Sequence, residues 1–136
     1  MFLLDTNLIS ESAKPRPDPR VLRWTQTNRA QDAFVSVMTL GEIVKGIERL
    51  APGKRRANLS RWLELVTSPA FNPRVLAVDE VIATEWGRLS IAARRTLPCA
   101  DSILAATARV HDLIVATRNQ RNFADLGVRV VNPWLT

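Results

Sequence analysis

The sequence predicts an α/β fold in which a parallel β-sheet is covered by helices on both faces. Short apolar segments alternate along the chain with longer segments whose apolar residues recur at helical spacing. The short segments are apolar at most positions, which is typical of strands buried on both faces of a parallel sheet. The chain has 136 residues, of which 46% are hydrophobic, and this is enough for one domain with a substantial core.

Five strands and six helices are predicted along the chain. The strands lie at residues 2–4, 33–37, 75–78, 113–116 and 128–131, and the helices at residues 7–13, 20–26, 40–50, 54–66, 79–94 and 99–110. The third helix has the clearest spacing, with apolar residues at Leu40, Ile43, Val44, Ile47 and Leu50. No linker is long enough to separate a second unit, so we expect a single domain over residues 1–136.

The composition indicates which partners and which cellular compartment the protein is suited to. The net charge is +6, from 19 Lys and Arg against 13 Asp and Glu, which favours nucleic acid as a partner as much as it favours simple solubility. The single cysteine, Cys99, excludes an internal disulfide and suits a reducing compartment. Asp5 comes before the apolar part of a signal peptide could form, and no apolar run reaches the ~20 residues of a membrane helix. We therefore expect a cytoplasmic protein without membrane contact.

Polar residues collect where the predicted strands end. In open parallel sheets ligands bind beyond the carboxyl ends of the strands. Nine polar residues follow the first four strands: Asp5, Thr6, Asn7, Thr39, Glu42, Asp79, Thr117, Arg118 and Asn119. Asp101 begins the helix that leads into strand four. A functional site at this edge of the sheet is therefore one interpretation.

Helix capping is the alternative interpretation of the same residues. Asp5 and its two neighbours are suited to cap the first helix, and Asp79 suits a plain cap for the fifth. Thr39 and Glu42 have the spacing of a capping box, in which the two side chains bond each other's backbone amides. Asp101 follows Pro98 at a helix start, where the helix dipole favours an acid.

Several acids at one edge of a sheet repel one another unless a cation lies among them. His111 is the only histidine and Cys99 the only thiol, which excludes a zinc site of the His/Cys type within one chain. Carboxylate oxygens suit Mg²⁺ or Mn²⁺ instead. In a basic protein, this combination indicates metal-assisted hydrolysis of phosphodiester bonds. A Ser-His-Asp triad is disfavoured because His111 lies away from the binding edge, and a glycine-rich phosphate loop is absent from the sequence.

Four segments of the chain resemble PIN-domain ribonuclease toxins of the VapC family, and most closely the FitB-like subgroup. They are LLDTNLISE, SVMTLGEIVKGI, ADSILAATARVHDLIVATRN and VRVVNPW, and the likeness runs over residues 1–134. The resemblance implies a three-layer α/β/α sandwich around a parallel sheet of about five strands. It also implies an endoribonuclease that uses Mg²⁺ or Mn²⁺ and is blocked by a cognate antitoxin.

The resemblance also implies roles for individual residues. Asp5, Glu42 and Asp101 would be the catalytic and metal-binding acids, with Thr6 and Thr117 as polar neighbours that orient water or a carboxylate. The fourth acid of the family falls where this chain has Asn119, and this departure favours one bound metal ion over two.

Arginines near this site are candidates for binding the phosphates that flank the cleaved bond. Arg118 is next to Asn119, and Arg16 lies on the proline-rich loop at residues 14–19. We expect their forked side chains to hold RNA phosphates.

Partners also follow from the resemblance. We expect a homodimer, or a dimer of toxin–antitoxin heterodimers, that contacts DNA only through the antitoxin. The apolar residues of the early helices that would receive the antitoxin are Leu8, Ile9, Val44, Ile47, Leu50, Leu59, Trp62 and Leu63. Two other functions stay open: a weakly active or inactive binding module that acts through its antitoxin–operator complex, because Asn119 lacks a charge, and a housekeeping nuclease without an antitoxin.

Overall fold

The chain folds around one five-stranded sheet in which every neighbouring pair of strands is parallel. The computed structural model describes residues 1–28, 30–67 and 74–136. The strands are β1 (Phe2–Leu4), β2 (Ala33–Ser36), β3 (Val75–Leu76), β4 (Ile114–Ala116) and β5 (Arg129–Val131), in the spatial order β3-β2-β1-β4-β5. The predicted parallel sheet of about five strands is therefore confirmed, with β1 at its centre.

Six α-helices connect the strands in the described chain. They are α1 (Thr6–Ser12), α2 (Pro19–Thr27), α3 (Val37–Glu48), α4 (Lys54–Thr67), α5 (Glu80–Ala92) and α6 (Cys99–His111). Three short 3₁₀ segments lie at Ala30–Asp32, Gln120–Phe123 and Pro133–Leu135. Among the helices of the described chain, none has both the length and the apolar composition that crossing a bilayer requires.

Two apolar clusters lie on opposite faces of the sheet and make the fold a three-layer sandwich. Leu3 of β1 belongs to one cluster, together with Leu89 of α5 and Leu104 of α6. Leu4, the next residue of β1, packs in the other cluster against Leu8 of α1 and its neighbours. Because successive side chains of a strand point to opposite faces, α5 and α6 cover one face and α1 and α2 the other. The predicted α/β/α sandwich is confirmed.

The predicted capping box at the start of α3 is wrong. The helix begins three residues earlier, because Ser36 ends β2 and its hydroxyl accepts a hydrogen bond from the amide of Met38. Thr39 therefore lies inside the first turn, fully buried, and its Oγ1 makes no hydrogen bond within the described residues. Glu42 bonds a residue of α1 instead of the Thr39 amide. This start leaves the Glu42 side chain available to the edge of the sheet.

Glu11 is a buried carboxylate that fixes the proline-rich loop between α1 and α2. Its Oε1 accepts a hydrogen bond of 2.8 Å from the amide of Asp18, and its Oε2 lies 2.7 Å from the ammonium of Lys14. The bond from Lys14 is the main cause that holds the pKa of Glu11 below its ordinary value of 4.5, against the effect of burial. The carboxylate therefore stabilises the folded state above about pH 4.5, and this contribution disappears as the pH falls through the lowered pKa.

Replacing Glu11 by alanine is expected to lower the free energy of unfolding by about 1–3 kcal/mol, because the amide of Asp18 loses its acceptor. Glu11→Gln is the matched control. It keeps an oxygen for that amide and loses only the ion pair with an exposed lysine, at a cost of about 0.5–1 kcal/mol. Urea unfolding at pH 7 measures both values. Equal losses in the two variants would contradict the role of the Asp18 hydrogen bond.

Candidate functional site

Asp5 is held rigidly at the carboxyl end of the central strand. It follows β1, caps the N-terminus of α1 and is only 4% exposed. Its Oδ1 accepts a hydrogen bond of 2.7 Å from the amide of Thr6, and its Oδ2 accepts one of 2.6 Å from the hydroxyl of Thr117. The predicted capping role of Asp5 is confirmed. The bond from Thr117 joins the ends of β1 and β4, so this carboxylate has one fixed orientation.

Glu42 reaches the same edge from the second turn of α3. Its Oε1 accepts a hydrogen bond of 2.9 Å from the hydroxyl of Thr6. Thr6 thus donates its amide to Asp5 and its hydroxyl to Glu42, and sets the two carboxylates beside each other. The short side chain of a threonine at the first position of α1 keeps both acids close to rigid backbone.

Asp101 completes the group from the first turn of α6. Burial is the main cause that raises the pKa of Asp101 above its ordinary value, and the charges of Asp5 and, more weakly, Glu42 raise it further. A hydrogen bond from Asn122 opposes this shift, with Nδ2 lying 2.7 Å from Oδ2 of Asp101. Since charges in a folded protein influence one another strongly only at short range, the three acids form one cluster at the edge of the sheet. We refer to Asp5, Glu42 and Asp101 as the acid cluster.

The segment after β4 carries three of the predicted site residues. Thr117 is fully buried, and its Oγ1 accepts a hydrogen bond of 3.0 Å from the amide of Asn119 while it donates to Asp5. Asn119 is exposed, and within the described residues its side chain makes no hydrogen bond to the acid cluster. Besides Thr117, which bonds Asp5, the residue of this segment that contacts the cluster is Asn122, which bonds Asp101. Sequence reasoning did not place Asn122 in the site, because a single 3₁₀ turn in a polar segment leaves no periodic signal.

The two arginines that were predicted to bind phosphate differ in how closely the structure connects them to the site. Arg118 directly follows Thr117, and its guanidinium lies 5.6 Å from the centre of the Trp134 ring. Its amide makes a long hydrogen bond of 3.5 Å to Asn7, so its backbone belongs to the same edge. Arg16 is exposed on the loop before α2, and no ion pair of the described residues joins it to the acid cluster. A role for either residue in phosphate binding stays a prediction.

The donor chemistry of the acid cluster fits a hard divalent cation. All of its candidate ligands are oxygens, and no ion pair of the described residues neutralises Asp5, Glu42 or Asp101. In the described chain, no group of three or more His, Cys, Asp or Glu side chains is arranged to hold a metal ion by itself. Mg²⁺ does not need one, because it is commonly held by one or two carboxylates, with water and substrate phosphates as the other ligands. The cluster therefore fits a metal ion whose coordination the substrate completes.

A groove near the start of α6 is separate from this cluster. It has a volume of about 570 Å³, and its lining includes Trp86, Arg95, Cys99 and Ser102. None of the three acids lines it. The chemistry that the carboxylates can perform is therefore confined to the open edge of the sheet.

Comparison with known proteins identifies the family. The model of the PIN domain matches residues 2–128. The chain belongs to the PIN-domain family. The toxin FitB of Neisseria gonorrhoeae is 37% identical to it over 98% of this chain and 99% of its own length. The VapC ribonuclease Y4jK of Sinorhizobium fredii is 35% identical over 98% of each chain.

A solved structure agrees with this assignment. A protein chain in the structure of FitAB bound to an IR36 DNA fragment has a TM-score of 0.91 with this PIN domain and is 36% identical to it. The alignment covers 98% of this chain and 96% of that chain. The likeness predicted from four sequence motifs is therefore confirmed, and within the family this PIN domain groups with the FitB and VapC toxins.

Proposed function

We propose that this PIN domain is the toxin of a type II toxin–antitoxin system of the VapBC/FitAB kind and that it cleaves RNA with the help of Mg²⁺ or Mn²⁺. The observation that carries the proposal is the convergence of Asp5, Glu42 and Asp101 at the carboxyl edge of a parallel sheet. The names of two full-length relatives, a toxin and a ribonuclease, support the same function.

The acid cluster would hold the metal ion. Within the described residues, Asp101 accepts a hydrogen bond only at Oδ2 and Glu42 only at Oε1, so each keeps an oxygen for a ligand. Both oxygens of Asp5 already accept hydrogen bonds, but a carboxylate oxygen has a second lone pair that can still bind a cation. When bound, Mg²⁺ or Mn²⁺ lowers the pKa of a coordinated water and polarises a phosphate oxygen.

The residues of the chain itself would orient the reactants. Thr6 and Thr117 fix the carboxylates of Glu42 and Asp5, so these groups need no rearrangement when substrate arrives. Asp101 or Glu42 would accept the proton of the attacking water, since each keeps an acceptor oxygen at the edge. The net charge of +6 attracts the RNA backbone, and Arg118 and Arg16 would bind its phosphates.

A binding module with little catalysis is the second candidate. The observation that favours it is that residues 117–123 after β4 include no acid: Asn119 and Asn122 stand there, and Asn122 is the asparagine that contacts the cluster. With three acids the site attracts a cation less strongly than with four. Such a protein would act through the complex of its antitoxin with operator DNA.

The antitoxin would bind an apolar surface built from the early helices. Val44 of α3 is 43% exposed, and α1, α3 and α4 each carry half-buried apolar residues. Leu8 and Ile47, which the sequence also suggested for this surface, are buried in the core and cannot serve it. DNA would be contacted only through the antitoxin, in a dimer of toxin–antitoxin heterodimers or around a toxin homodimer. The cytoplasmic location stays a prediction.

An RNA cleavage assay with a matched pair of variants tests the nuclease. The purified chain, free of antitoxin, is incubated with structured and unstructured RNA in Mg²⁺, in Mn²⁺ and in EDTA. Glu42→Gln removes one charge of the cluster but keeps an acceptor for the Thr6 hydroxyl, so the fold is retained. Glu48→Gln removes an equal charge from the exposed end of the same helix. We expect cleavage that needs metal, falls at least about 100-fold in Glu42→Gln and is unchanged in Glu48→Gln.

Two results would contradict the nuclease. Cleavage that persists in Glu42→Gln would show a contaminating enzyme or a different site. A folded wild-type protein that cleaves no RNA with either metal would favour the binding module, and Asn119→Asp and Asn122→Asp would then be the next variants.

A further inference from the structure

Arg95 joins two segments that are distant in the sequence. It lies on the loop between α5 and α6, and its Nη2 lies 3.0 Å from the carbonyl oxygen of Ala124, 3.2 Å from that of Asn122 and 3.4 Å from that of Arg121. One nitrogen of the guanidinium thus faces three backbone carbonyls at the end of the Gln120–Phe123 segment. A cation at such an end is favourable, because carbonyls that point the same way carry a partial negative charge.

The segment that Arg95 holds has little regular structure of its own. It is a single 3₁₀ turn, and such short turns have poor hydrogen-bond geometry. Beyond it, the amides of Ala124 and Leu126 make bonds of 3.4 Å, longer than is usual for a backbone hydrogen bond. Phe123 is 1% exposed and anchors one side of the segment in the core. The other side of the segment, where its backbone carbonyls lie, is held by the hydrogen bonds from Arg95.

The same segment places Asn122 against the acid cluster. Its Nδ2 lies 2.7 Å from Oδ2 of Asp101, and since an ionised carboxylate can only accept, the amide nitrogen must be the donor. Within the described residues, no other group donates a hydrogen bond to the Asp101 carboxylate. The orientation of this carboxylate therefore depends on where the Gln120–Phe123 segment lies.

We propose that Arg95 is a positioning residue for the acid cluster, which holds the Gln120–Phe123 segment so that the Asn122 amide fixes the Asp101 carboxylate. Arg95 acts through Asn122, because within the described residues its guanidinium bonds only these backbone carbonyls and forms no ion pair with an acid of the cluster. It lies six residues before Asp101, so its bonds tie together the two segments that flank this acid, the loop before α6 and the turn after β4. The inference rests on the proposed function, since it concerns the same metal-binding acids.

The expected effects follow from how directly each residue reaches Asp101. Partners that hydrogen-bond a metal-ligating carboxylate typically contribute about 10–100-fold to metal affinity. We expect Asn122→Ala to weaken Mn²⁺ binding by about this factor, and Arg95→Ala by about 3–10-fold, because the turn keeps its anchor at Phe123. Arg95→Lys should restore part of the affinity, since an ammonium has three N–H donors for the three carbonyls.

The test uses the metal-free full chain and two measurements. Mn²⁺ affinity is measured by electron paramagnetic resonance for the wild type, Arg95→Ala, Arg95→Lys and Asn122→Ala. Arg94→Ala is the matched control, because it removes the same charge one residue earlier. The side-chain amide signals of Asn122 in a ¹⁵N correlation spectrum, recorded without metal, report on the bond to Asp101 directly. We expect these signals to be protected from exchange in the wild type and in Arg94→Ala, and to lose protection in Arg95→Ala.

A purely structural role for Arg95 predicts a different pattern. In that case Arg95→Ala would lower the melting temperature, but the Asn122 amide signals and the Mn²⁺ affinity would match those of Arg94→Ala, and the inference would be overturned. If the wild-type protein bound no Mn²⁺, the metal part of the proposed function would fail. The amide signals would then decide the inference alone, with unchanged protection in Arg95→Ala as the contrary result.

Discussion

Replacing Asp101 by asparagine is expected to abolish RNA cleavage and, in the absence of metal, to make the protein more stable. Burial and the charges of Asp5 and Glu42 raise the pKa of Asp101, so its ionised form costs free energy in the folded state at neutral pH. Asparagine removes that charge and can still accept the hydrogen bond from Asn122. We expect a gain of about 1 kcal/mol, or roughly 4 °C in melting temperature, and a fall in cleavage of at least about 100-fold.

Thermal unfolding in EDTA and RNA cleavage in Mg²⁺ or Mn²⁺ measure the two effects on the same preparation. Asp112→Asn is the matched control. Asp112 follows the other end of α6, its side chain is 93% exposed, and its left-handed backbone (φ 53°) suits asparagine equally well. It should change stability by less than about 0.5 kcal/mol and leave cleavage intact. A lower melting temperature in Asp101→Asn would show that the acids of the cluster are not under mutual repulsion.

Local patterns in the sequence predicted the elements that build the edge of the sheet. The apolar run 2–4 is too short for a helix and is followed at once by Asp5, so both the strand and the position of the acid could be predicted. The same holds for Asp101, because Pro98 and an alanine-rich segment define the start of α6. Parallel strands bring their carboxyl ends together whatever their separation in the chain, and that rule predicts from the sequence that these acids lie at one edge of the sheet.

Contacts that depend on irregular backbone could not be predicted in the same way. The spacing of Thr39 and Glu42 matches a capping box. The residue that caps α3 is nevertheless Ser36, because β2 leads directly into α3 at that residue. The family resemblance places Asn119 at the position of the family's fourth acid. The structure instead turns Asn122 toward Asp101 through one 3₁₀ turn and leaves Asn119 exposed. No periodicity marks such a turn, and the three carbonyls that Arg95 faces belong to residues 26–29 positions away.

The hydroxyl of Thr117 is expected to be the largest single contributor to the stability of the site. The residue is fully buried, donates to Oδ2 of Asp5 at 2.6 Å and accepts from the amide of Asn119 at 3.0 Å. Thr117→Val keeps the shape of the side chain and leaves a buried carboxylate and an amide each short of one partner. We expect a loss of about 2 kcal/mol in the free energy of unfolding and a melting temperature lower by roughly 7 °C.

Thr117→Ser and a double variant separate the hydroxyl from simple packing. Serine keeps both hydrogen bonds and loses one methyl group, so it should recover at least half of the stability that valine loses. In a double-mutant cycle with Asp5→Asn, the loss caused by Thr117→Val should shrink by about 1 kcal/mol or more, because the unpaired buried charge is then absent. Additive losses in that cycle would mean that Thr117 stabilises the fold through packing or the Asn119 amide and does little to hold the carboxylate of Asp5. Cleavage should fall with Thr117→Val and return with Thr117→Ser if the hydroxyl orients Asp5, since only that role makes activity follow the hydrogen bond.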